Sequence, residues 1–359
     1  MRRAWIDIDL DALRRNAQTL AKNSGVPLLP MIKADAYGLG AVAAARTLRR
    51  VGVWGYGVAT VAEGEALRSA GIDQRILIFS PLLVDEFDDV RRLRLTPTLG
   101  DPRAIRAWTA GDGEWHLSID TGMSRAGIPW FRIADVLEAA RERRPEGAFT
   151  HFHSAECNDG TVATQEARFR EALAALGTRP QLVHAENSPS MERRSPSPWD
   201  LARPGVFLYG VGGAEGALVQ PEPVAHFRAR IVELREVRAG ETVSYGASWT
   251  AQRNAIVATV SAGYADGYRR ALSNRGTALV NGRRVSVVGK VTMDMTMLDV
   301  SDVGCVVGDV ATLLGRDGDE LLDLQDVART AEMSPYELLV GLKLRVPRHY
   351  TGENGGATA

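Results

Sequence analysis

Short apolar runs alternate with amphipathic stretches along the first half of the chain, after an alternating segment at residues 5–9 and a helical pattern that ends near Gly25. The apolar runs predict strands at residues 28–33, 54–58, 75–79, 94–98, 115–119, 147–152, 181–184 and 203–208. The amphipathic stretches predict helices, among them 41–50, 61–70, 132–143 and 165–176. Because eight strands separated by helices describe a closed barrel better than an open sheet, we predict an α/β fold with a TIM-like (β/α)8 barrel.

The rhythm changes at the sequence QPEP, residues 220–223, which is a candidate linker. Beyond it, apolar runs joined by glycine-containing turns predict strands at residues 224–237, 255–261, 276–280, 284–288, 290–299 and 309–314. Asn281-Gly282 is a strong hairpin signal, and Ser334-Pro335 predicts the start of a short helix. We therefore predict two domains, the barrel over residues 1–221 and a mostly β C-terminal domain over residues 222–359.

The composition restricts the class of protein. The 359 residues are 45% hydrophobic and 24% charged, which is typical of globular chains, and the formal net charge of −1 offers no broad field to nucleic acid or an acidic membrane. No apolar run is long enough for a signal peptide or a membrane span. Cys157 and Cys305 make neither a disulfide framework nor a zinc site. We expect a cytoplasmic protein that acts on a small molecule.

One lysine stands at the end of an apolar run, in the sequence LLPMIKADAYGLG at residues 28–40. An unpaired buried lysine is costly, and desolvation lowers its pKa. Since a neutral amine is a nucleophile toward aldehydes, one interpretation of Lys33 is a Schiff-base lysine. The alternative for this stretch alone is a lysine that reaches solvent at the end of a strand, which is the more frequent arrangement.

Further polar side chains follow predicted strands of the barrel, namely Arg125, His151, Asn187, Ser188 and Arg203. Because functional side chains of such barrels gather where the strands end, we expect them to converge with Lys33 at one mouth. The planar fork of donors on Arg125 suits a carboxylate. The backbone amides of Gly205 and Val206, together with Ser188, suit a phosphate. A surface arginine and a simple turn are the corresponding structural alternatives.

Two histidines, His151 and His153, follow one predicted strand, with Glu156 close behind. All three residue types bind zinc, and histidines two apart on a strand point the same way, so a zinc site is one interpretation. No matching cluster of cysteine or histidine occurs elsewhere in the sequence. A hydrogen-bonded structural histidine is the more frequent outcome.

Several stretches resemble the motifs of the alanine racemases, and they occur in family order from about Trp5 to Arg348. They are MIKADAYG at 31–38, DTGMSR at 120–125, HAENS at 184–188, ARPGVFLYG at 202–210, VSYGASW at 243–249, SAGYADGY at 261–268, KVTMDM at 290–295 and LKLRVPR at 342–348. The resemblance implies a fold-type III pyridoxal-phosphate enzyme, an isomerase that interconverts L-alanine and D-alanine and supplies D-alanine for peptidoglycan.

The resemblance also implies roles for individual residues. Lys33 holds pyridoxal 5′-phosphate covalently, and the other cofactor contacts fall on Tyr37, His151, Asn187, Ser188, Arg203, Gly205 and Val206. Arg203 faces the pyridine nitrogen, to which a guanidinium donates a hydrogen bond without transferring a proton, so side reactions such as transamination are restrained. Arg125 and the backbone amide of Met293 hold the substrate carboxylate.

The second catalytic base that the resemblance implies is Tyr245, which acts in the active site of the other subunit, opposite Lys33. A head-to-tail homodimer with shared active sites follows from this arrangement. Tyr264 and Leu344 line the substrate entrance, and the resemblance implies no metal ion.

Some residues depart from the family pattern. Many members carry a carbamylated lysine where this chain has Ser118, so chloride, water or a nearby carboxylate must orient Arg125, or it is held less firmly. Leu344 replaces a tyrosine that contacts phosphate and narrows the entrance, which leaves the preference between alanine, serine and larger side chains open. Glu186 replaces an alanine, and we expect its carboxylate to point away from the phosphate, because the two would repel each other.

Other functions stay open at this point. The nearest are a racemase of serine or of a basic amino acid, and a fold-type III amino-acid decarboxylase. A non-catalytic pyridoxal-phosphate carrier belongs to a different class, although single-barrel carriers lack a C-terminal β domain. A zinc hydrolase based on His151 and His153 is the most distant alternative.

Overall fold

The structure, a computed structural model, describes residues 2–352. Its first half contains a parallel sheet whose strands pair in chain order: Gly55–Val58, Arg75–Ile78, Thr96–Leu99, His116–Asp120, Gly147–Phe149 and Leu182–His184. The short strand Ile128–Pro129 pairs with His116–Asp120 beside this path. Parallel neighbours need crossover connections, which the helices between these strands supply.

Two extended segments close this sheet into a barrel. Leu28 and Ala202 form a parallel bridge, and Met31 forms another with Gly57 in the first regular strand. The segment that ends at Ala202 is hydrogen-bonded at its other edge to Leu182–His184. The regular strands and these two segments surround one axis, which confirms the predicted (β/α)8 barrel.

Three predicted barrel strands are wrong in their extent. Residues 28–33 contain no regular strand, only the bridge residues Leu28 and Met31. Residues 203–208 contain no regular strand, and Val206–Tyr209 is a 3₁₀ helix, because Pro204 lacks the N–H that a strand ladder needs. The predicted strand at 147–152 ends at Phe149, so His151 lies in the loop that follows. The direction of the His151 side chain is therefore not set by the alternation of side chains along a strand.

Helices surround the barrel. The α-helices span Leu10–Ser24, Ala41–Arg49, Val61–Ser69, Phe87–Arg92, Pro102–Thr109, Leu137–Glu142, Thr161–Ala175 and Ser188–Arg193. The 3₁₀ helices span Val84–Glu86 and Trp130–Val136, so the predicted helix at 132–143 is split in two. The first helix begins where the Asp9 carboxylate caps it and ends at Gly25, whose left-handed φ of 69° terminates it.

The chain turns left-handed directly after Lys33. Residues 34–37 all have φ between 50° and 57°, so Lys33–Gly38 is a single turn of left-handed helix. Each L-residue in this conformation costs about 1–2 kcal/mol, because its Cβ crowds the following carbonyl. Surrounding contacts must hold such strain. Arg348 is one of them, since its Nε and Nη2 donate to the Gly38 carbonyl over 3.1 and 2.9 Å.

We expect Ala34→Gly to stabilise the protein by about 1 kcal/mol, because glycine adopts a positive φ without steric cost and this position is exposed. The matched control is Ala43→Gly in the right-handed helix Ala41–Arg49, where glycine costs about 1 kcal/mol. Thermal unfolding of both variants measures the two changes. Destabilisation by both substitutions would show that Ala34 carries no such strain.

The second half of the chain forms a nine-stranded, mostly antiparallel sheet. Its strands are Ala4–Asp9, Ala225–Val237, Ala255–Val260, Thr277–Val280, Arg283–Val287, Thr296–Asp299, Val310–Asp317, Glu320–Leu322 and Arg348–Thr351, while Thr242–Val243 pairs separately with Trp249–Thr250. The Asn281-Gly282 hairpin is confirmed, with positive φ at both residues as this tight turn requires. The predicted strand at 290–299 is wrong in its first half, because only Thr296–Asp299 pairs.

Helices are short in this half of the chain. Leu324–Thr330 and Pro335–Val340 are α-helical, and Tyr245–Ala247, Tyr264–Asp266 and Arg270–Leu272 are 3₁₀ helices. Ser334 Oγ accepts the Tyr336 N–H over 3.3 Å, which confirms the predicted helix start. This helix brings the Tyr336 ring to a centroid distance of 6.1 Å from the Tyr37 ring in the barrel.

The N-terminal strand Ala4–Asp9 belongs to the second sheet, where it lies between Ala225–Val237 and Arg348–Thr351. The first and last described strands therefore pair with each other, in parallel. The division into domains at residues 221 and 222 stays a prediction. Within residues 2–352, no helix is both long enough and apolar enough to cross a membrane.

Candidate active site

A cavity of about 1030 Å³ opens at the carboxyl ends of the barrel strands. It is lined by nine of the residues predicted to bind the cofactor or the substrate: Lys33, Tyr37, Arg125, His151, Asn187, Ser188, Arg203, Gly205 and Val206. They come from separate strands and loops, whose ends meet at the mouth of a barrel. The structure thus brings the candidate covalent lysine, the candidate cofactor contacts and one candidate carboxylate-binding arginine together.

Lys33 starts the left-handed turn and is half-buried in this cavity. Burial lowers the pKa of its amine, the positive charge of Arg125 lowers it further, and Glu63 opposes both effects. The Ala34 N–H donates to Glu63 Oε1 over 2.8 Å, which ties that carboxylate to the turn. The surroundings therefore increase the neutral, nucleophilic fraction of the Lys33 amine.

The Arg203 guanidinium is buried in the barrel, and its strongest hydrogen bonds go to uncharged groups. It donates to the carbonyls of Thr150 and Ala185, over 2.7 and 3.1 Å, and to Nδ1 of His184 over 2.9 Å. Burial lowers its pKa to about 9, which leaves the group positively charged at neutral pH. Arg203 therefore presents a fixed cationic donor at the floor of the cavity.

Two buried histidines, His184 and His116, extend the hydrogen bonds of Arg203 toward the opposite end of the barrel. Because Arg203 only donates, Nδ1 of His184 accepts, and the His184 proton resides on Nε2. This Nε2 donates to Nδ1 of His116 over 2.8 Å, so the His116 proton resides on its Nε2, which faces Glu146 Oε2 at 3.5 Å. Burial lowers the pKa of both imidazoles. We call Arg203, His184, His116 and Glu146 the polar row.

Ser188 and Gly205 form a cradle at another wall of the cavity. Ser188 Oγ accepts the N–H groups of Gly205 and Phe207, over 2.8 and 3.3 Å. A Cβ at Gly205 would stand 2.6 Å from Tyr37 Oη, so only glycine admits the tyrosine hydroxyl here. The hydroxyls of Ser188 and Tyr37 remain donors beside this glycine, and Val206 lines the cavity next to them, an arrangement that suits a phosphate group. Asn187 caps the helix Ser188–Arg193 beside it.

Sequence reasoning missed Tyr336, which enters the cavity from the C-terminal domain together with Gln325 and Val340. Burial raises the pKa of Tyr336 to about 12, so its hydroxyl remains a hydrogen-bond donor at neutral pH. No local pattern marks it, because the packing of its helix against the Lys33 turn decides its position. Tyr336 supplies a phenol to this cavity, which Leu344 does not line.

Glu192 is a second missed residue of the cavity. Its buried carboxylate Oε2 accepts the N–H groups of Gly213 and Ala214, over 2.8 and 3.1 Å. Burial raises the pKa of this carboxyl to about 7, from an ordinary value of 4.5. Glu192 therefore binds a proton more strongly in the folded protein than in the unfolded chain.

Stability is expected to depend on pH through Glu192. The contribution of Glu192 to the free energy of unfolding is complete below pH 4.5, which is the pKa of its carboxyl in the unfolded chain. This contribution is lost as the pH rises through about 7, the pKa in the folded protein. Glu192→Gln keeps the acceptor for both N–H groups and should abolish about 1–3 kcal/mol of the loss between acidic and mildly basic pH. Denaturant unfolding at several pH values measures the difference. Parallel losses in the variant and the parent protein would contradict this assignment.

Arg125 is exposed at the cavity and has no hydrogen bond or ion pair with another side chain of residues 2–352. The nearby carboxylate of Asp120 accepts the N–H groups of Gly122 and Ser124 instead, over 2.9 and 3.0 Å. Ser118 lines the same cavity. Of the possibilities that Ser118 left open, orientation of Arg125 by a carboxylate has no support in the described part of the chain.

Four predicted site residues lie on the surface of the C-terminal domain and do not line the cavity of their own chain. Tyr245 and Leu344 are 75% and 86% exposed, and Tyr264 and Met293 are exposed as well. The Tyr264 N–H donates to the Thr292 carbonyl over 2.9 Å, so the segments carrying Tyr264 and Met293 are adjacent. These four residues therefore need another surface, beyond their own chain's cavity, to take part in a site.

The two histidines of the zinc alternative have different partners. His151 Nδ1 lies 3.5 Å from an Arg203 nitrogen, whereas His153 Nδ1 bonds Ser154 Oγ over 2.7 Å. In the described range, 2–352, no group of three or more His, Cys, Asp and Glu is arranged to hold a metal ion. The zinc alternative therefore lacks a ligand set in that range.

Glu186 is buried outside the cavity, 3.6 Å from Arg194.

The fold and the site together define a class of protein: a (β/α)8 barrel that is followed by a β domain and has a lysine with a lowered pKa at its mouth. Residues 8–212 match the family model of the alanine racemase N-terminal domain, and residues 224–350 match that of the alanine racemase C-terminal domain. The chain belongs to the alanine racemase family.

Individual relatives resemble the chain over its whole length. It is 36% identical to an alanine racemase of Sorangium cellulosum, over 98% of this chain and 99% of that one. An alanine racemase from E. faecalis has a TM-score of 0.91 and 31% identity, with 98% of each chain covered. An alanine racemase from Bartonella henselae, solved with covalently bound pyridoxal phosphate, has a TM-score of 0.90 and 28% identity, covering 98% of this chain and 100% of that one.

Proposed function

We propose that this protein is a pyridoxal-phosphate-dependent alanine racemase, an isomerase that interconverts L-alanine and D-alanine and supplies D-alanine for peptidoglycan. The observation that carries the proposal is the meeting of the Lys33 amine, the Arg203 guanidinium and the Ser188–Gly205 cradle in one cavity. The relatives named above agree with it, and one of them holds pyridoxal phosphate covalently.

The residues of the cavity fit this cofactor. Lys33 provides an amine with a lowered pKa for covalent attachment, and the hydroxyls of Ser188 and Tyr37 at the Ser188–Gly205 cradle provide donors for a phosphate. When bound, pyridoxal phosphate supplies an electron sink that weakens the bond between the substrate α-carbon and its hydrogen. Arg203 offers the pyridine nitrogen a cationic donor that stays protonated at neutral pH.

Racemisation needs a base on each face of the substrate, because a single base would return the proton with retention. We assign one face to Lys33 and the other to Tyr245 of the partner subunit. In one chain Tyr245 is largely exposed and lies outside the cavity, so it needs a second subunit to reach an active site. A head-to-tail homodimer satisfies this need, with Arg125 and the Met293 amide holding the substrate carboxylate.

The decisive experiment follows the circular dichroism of L-alanine incubated with the protein and pyridoxal phosphate. The signal is expected to decay to zero, and Tyr245→Phe should retain bound cofactor while slowing racemisation in both directions by about 10²-fold or more. Near-normal rates in Tyr245→Phe would contradict its role as a base. A constant signal with cofactor bound would redirect the assignment to serine or another amino acid.

Mixed dimers test whether the sites are shared. Neither Lys33→Ala nor Tyr245→Phe has a complete site by itself. In a dimer of one chain of each, one shared site regains both bases, so random mixing should restore about a quarter of the parent activity. Mixing would restore nothing if each site were built from a single chain.

A further inference from the structure

A second cavity, of about 550 Å³, lies at the opposite end of the barrel. Arg75 is the first residue of its strand, and Glu146 and Gln181 directly precede the strands Gly147–Phe149 and Leu182–His184, so these lining residues mark the amino-terminal face. In barrels of this kind the active site occupies the carboxyl-terminal face, and the other face ordinarily serves stability. A large open cavity at this face therefore calls for an explanation.

The charge of the lining is unbalanced. Four arginines line the cavity, namely Arg75, Arg141, Arg144 and Arg179, against the two carboxylates of Glu114 and Glu146. Arg75 pairs with Glu146, and Arg179 donates to Asp200 over 2.6 Å. Arg141 and Arg144 have no hydrogen bond or ion pair with another side chain in residues 2–352. Both side chains are exposed, so their guanidinium groups are free to bind an anion at this cavity.

A buried group at the same cavity is also incompletely bonded. The Glu146 side chain is only 8% exposed, and its Oε2 and the facing Nε2 of His116 have no hydrogen-bond partner in the described chain. They stand 3.5 Å apart, too far for a good hydrogen bond. Buried polar atoms without partners are costly, so this end of the polar row is poised for a different arrangement.

We propose that this cavity binds a small organic dianion, with Arg141 and Arg144 as its principal ligands. Guanidinium forks match phosphate and carboxylate oxygens, and side chains such as Leu137, Ala140 and Leu176 provide an apolar wall for the body of the molecule. A phosphate ester and a dicarboxylate share this chemistry, and binding experiments distinguish them.

The bound dianion acts on the active site through the polar row, a step that rests on the proposed function. It competes with Glu146 for Arg75, and Glu146 then turns its full charge to His116. His116 is bonded to His184, and His184 to Arg203, which faces the cofactor cavity. Each hydrogen bond in such a chain polarises the next, so the electrostatic field at the cofactor changes without movement of the backbone.

Calorimetry of the cofactor-saturated protein tests the site, since the cradle for the cofactor phosphate is then filled. Glycerol 3-phosphate and succinate serve as probes, and at least one of them is expected to bind. The double variant Arg141→Gln/Arg144→Gln should weaken that binding about ten- to hundredfold, as expected for loss of charge-assisted hydrogen bonds.

The matched control is Arg103→Gln/Arg106→Gln, which removes the same charge from exposed positions of the helix Pro102–Thr109. It should leave the affinity unchanged. Absence of binding by both probes, or equal weakening in the two double variants, would overturn the proposal.

The visible absorption of the bound cofactor tests the coupling. Saturation with the bound probe should shift this absorption in the parent protein, and Glu146→Gln should abolish the shift while retaining binding. No shift in the parent protein would overturn the coupling. If the chain failed to bind pyridoxal phosphate at all, the proposed function would fail, while the weakening of probe binding in Arg141→Gln/Arg144→Gln would still report on the dianion site.

Discussion

Lys33→Ala is expected to abolish covalent retention of pyridoxal phosphate and to reduce racemisation to background, while the protein stays folded. Its amine is proposed both to attach the cofactor and to serve one face of the substrate, so both functions fail together. The fold should tolerate the change, because the side chain is half-buried and lines an open cavity. Far-ultraviolet circular dichroism checks folding, and alanine racemisation checks activity.

The lysine content of the chain makes this test unusually specific. The lysines are Lys22, Lys33, Lys290 and Lys343, and of these Lys33 lines the cavity. Borohydride reduction followed by peptide mass mapping should therefore modify Lys33, and Lys343→Ala, as a matched control, should leave this modification unchanged. Modification of another lysine, or of the Lys33→Ala protein, would contradict the assignment.

Arg203→Gln is expected to lower the racemisation rate by about 10²-fold or more, the loss typical of removing a preorganised polar group from an active site. The variant keeps a polar but shorter side chain and removes the positive charge at the floor of the cavity. It also withdraws the donor that holds Nδ1 of His184 as an acceptor. Initial rates in both directions measure the effect, with bound cofactor quantified by its visible absorption.

Arg203→Lys is the comparison that separates charge from geometry. Lysine retains the positive charge but cannot span the carbonyls of Thr150 and Ala185 and the ring of His184 together. If the positive charge of Arg203 carries most of the effect, Arg203→Lys should racemise alanine faster than Arg203→Gln. Equal losses in the two variants would show that the fixed geometry of the guanidinium, and not its charge, carries the effect.

The strands and helices could be predicted from the sequence because burial of one face makes apolar residues recur at regular intervals along each element. Most barrel strands and most C-terminal strands lie near their predicted positions, and so does the Asn281-Gly282 hairpin, but residues 28–33 and 203–208 contain no regular strand. Errors fell where backbone chemistry competes with apolar pattern, as at residues 203–208, which follow a buried segment but contain Pro204. The left-handed turn after Lys33 had no signal beyond its flanking glycines, since alanine and tyrosine rarely adopt that conformation.

The residues of the candidate site also fall into those that the sequence could place and those that it could not. Residues in the segments that follow predicted strands, such as Lys33, Arg125 and Asn187, could be placed at one mouth, because parallel strands end on one face. Tyr336 and Glu192 could not be placed there, because their positions depend on how separate elements pack. Tyr245 remains outside the cavity of its own chain.

The sequence by itself determined the barrel, the β domain that follows it and the set of polar residues at one mouth, because periodic burial and strand polarity are local properties. Only the tertiary structure decided the left-handed Lys33 turn, the polar row and the arginine-lined cavity at the far face. Each of these joins residues distant in sequence: Arg348 reaches Gly38, and Arg75 reaches Glu146. Such contacts form only when the whole chain packs. Bringing distant residues together costs conformational entropy, and the free energy of folding, not local propensity, offsets that cost.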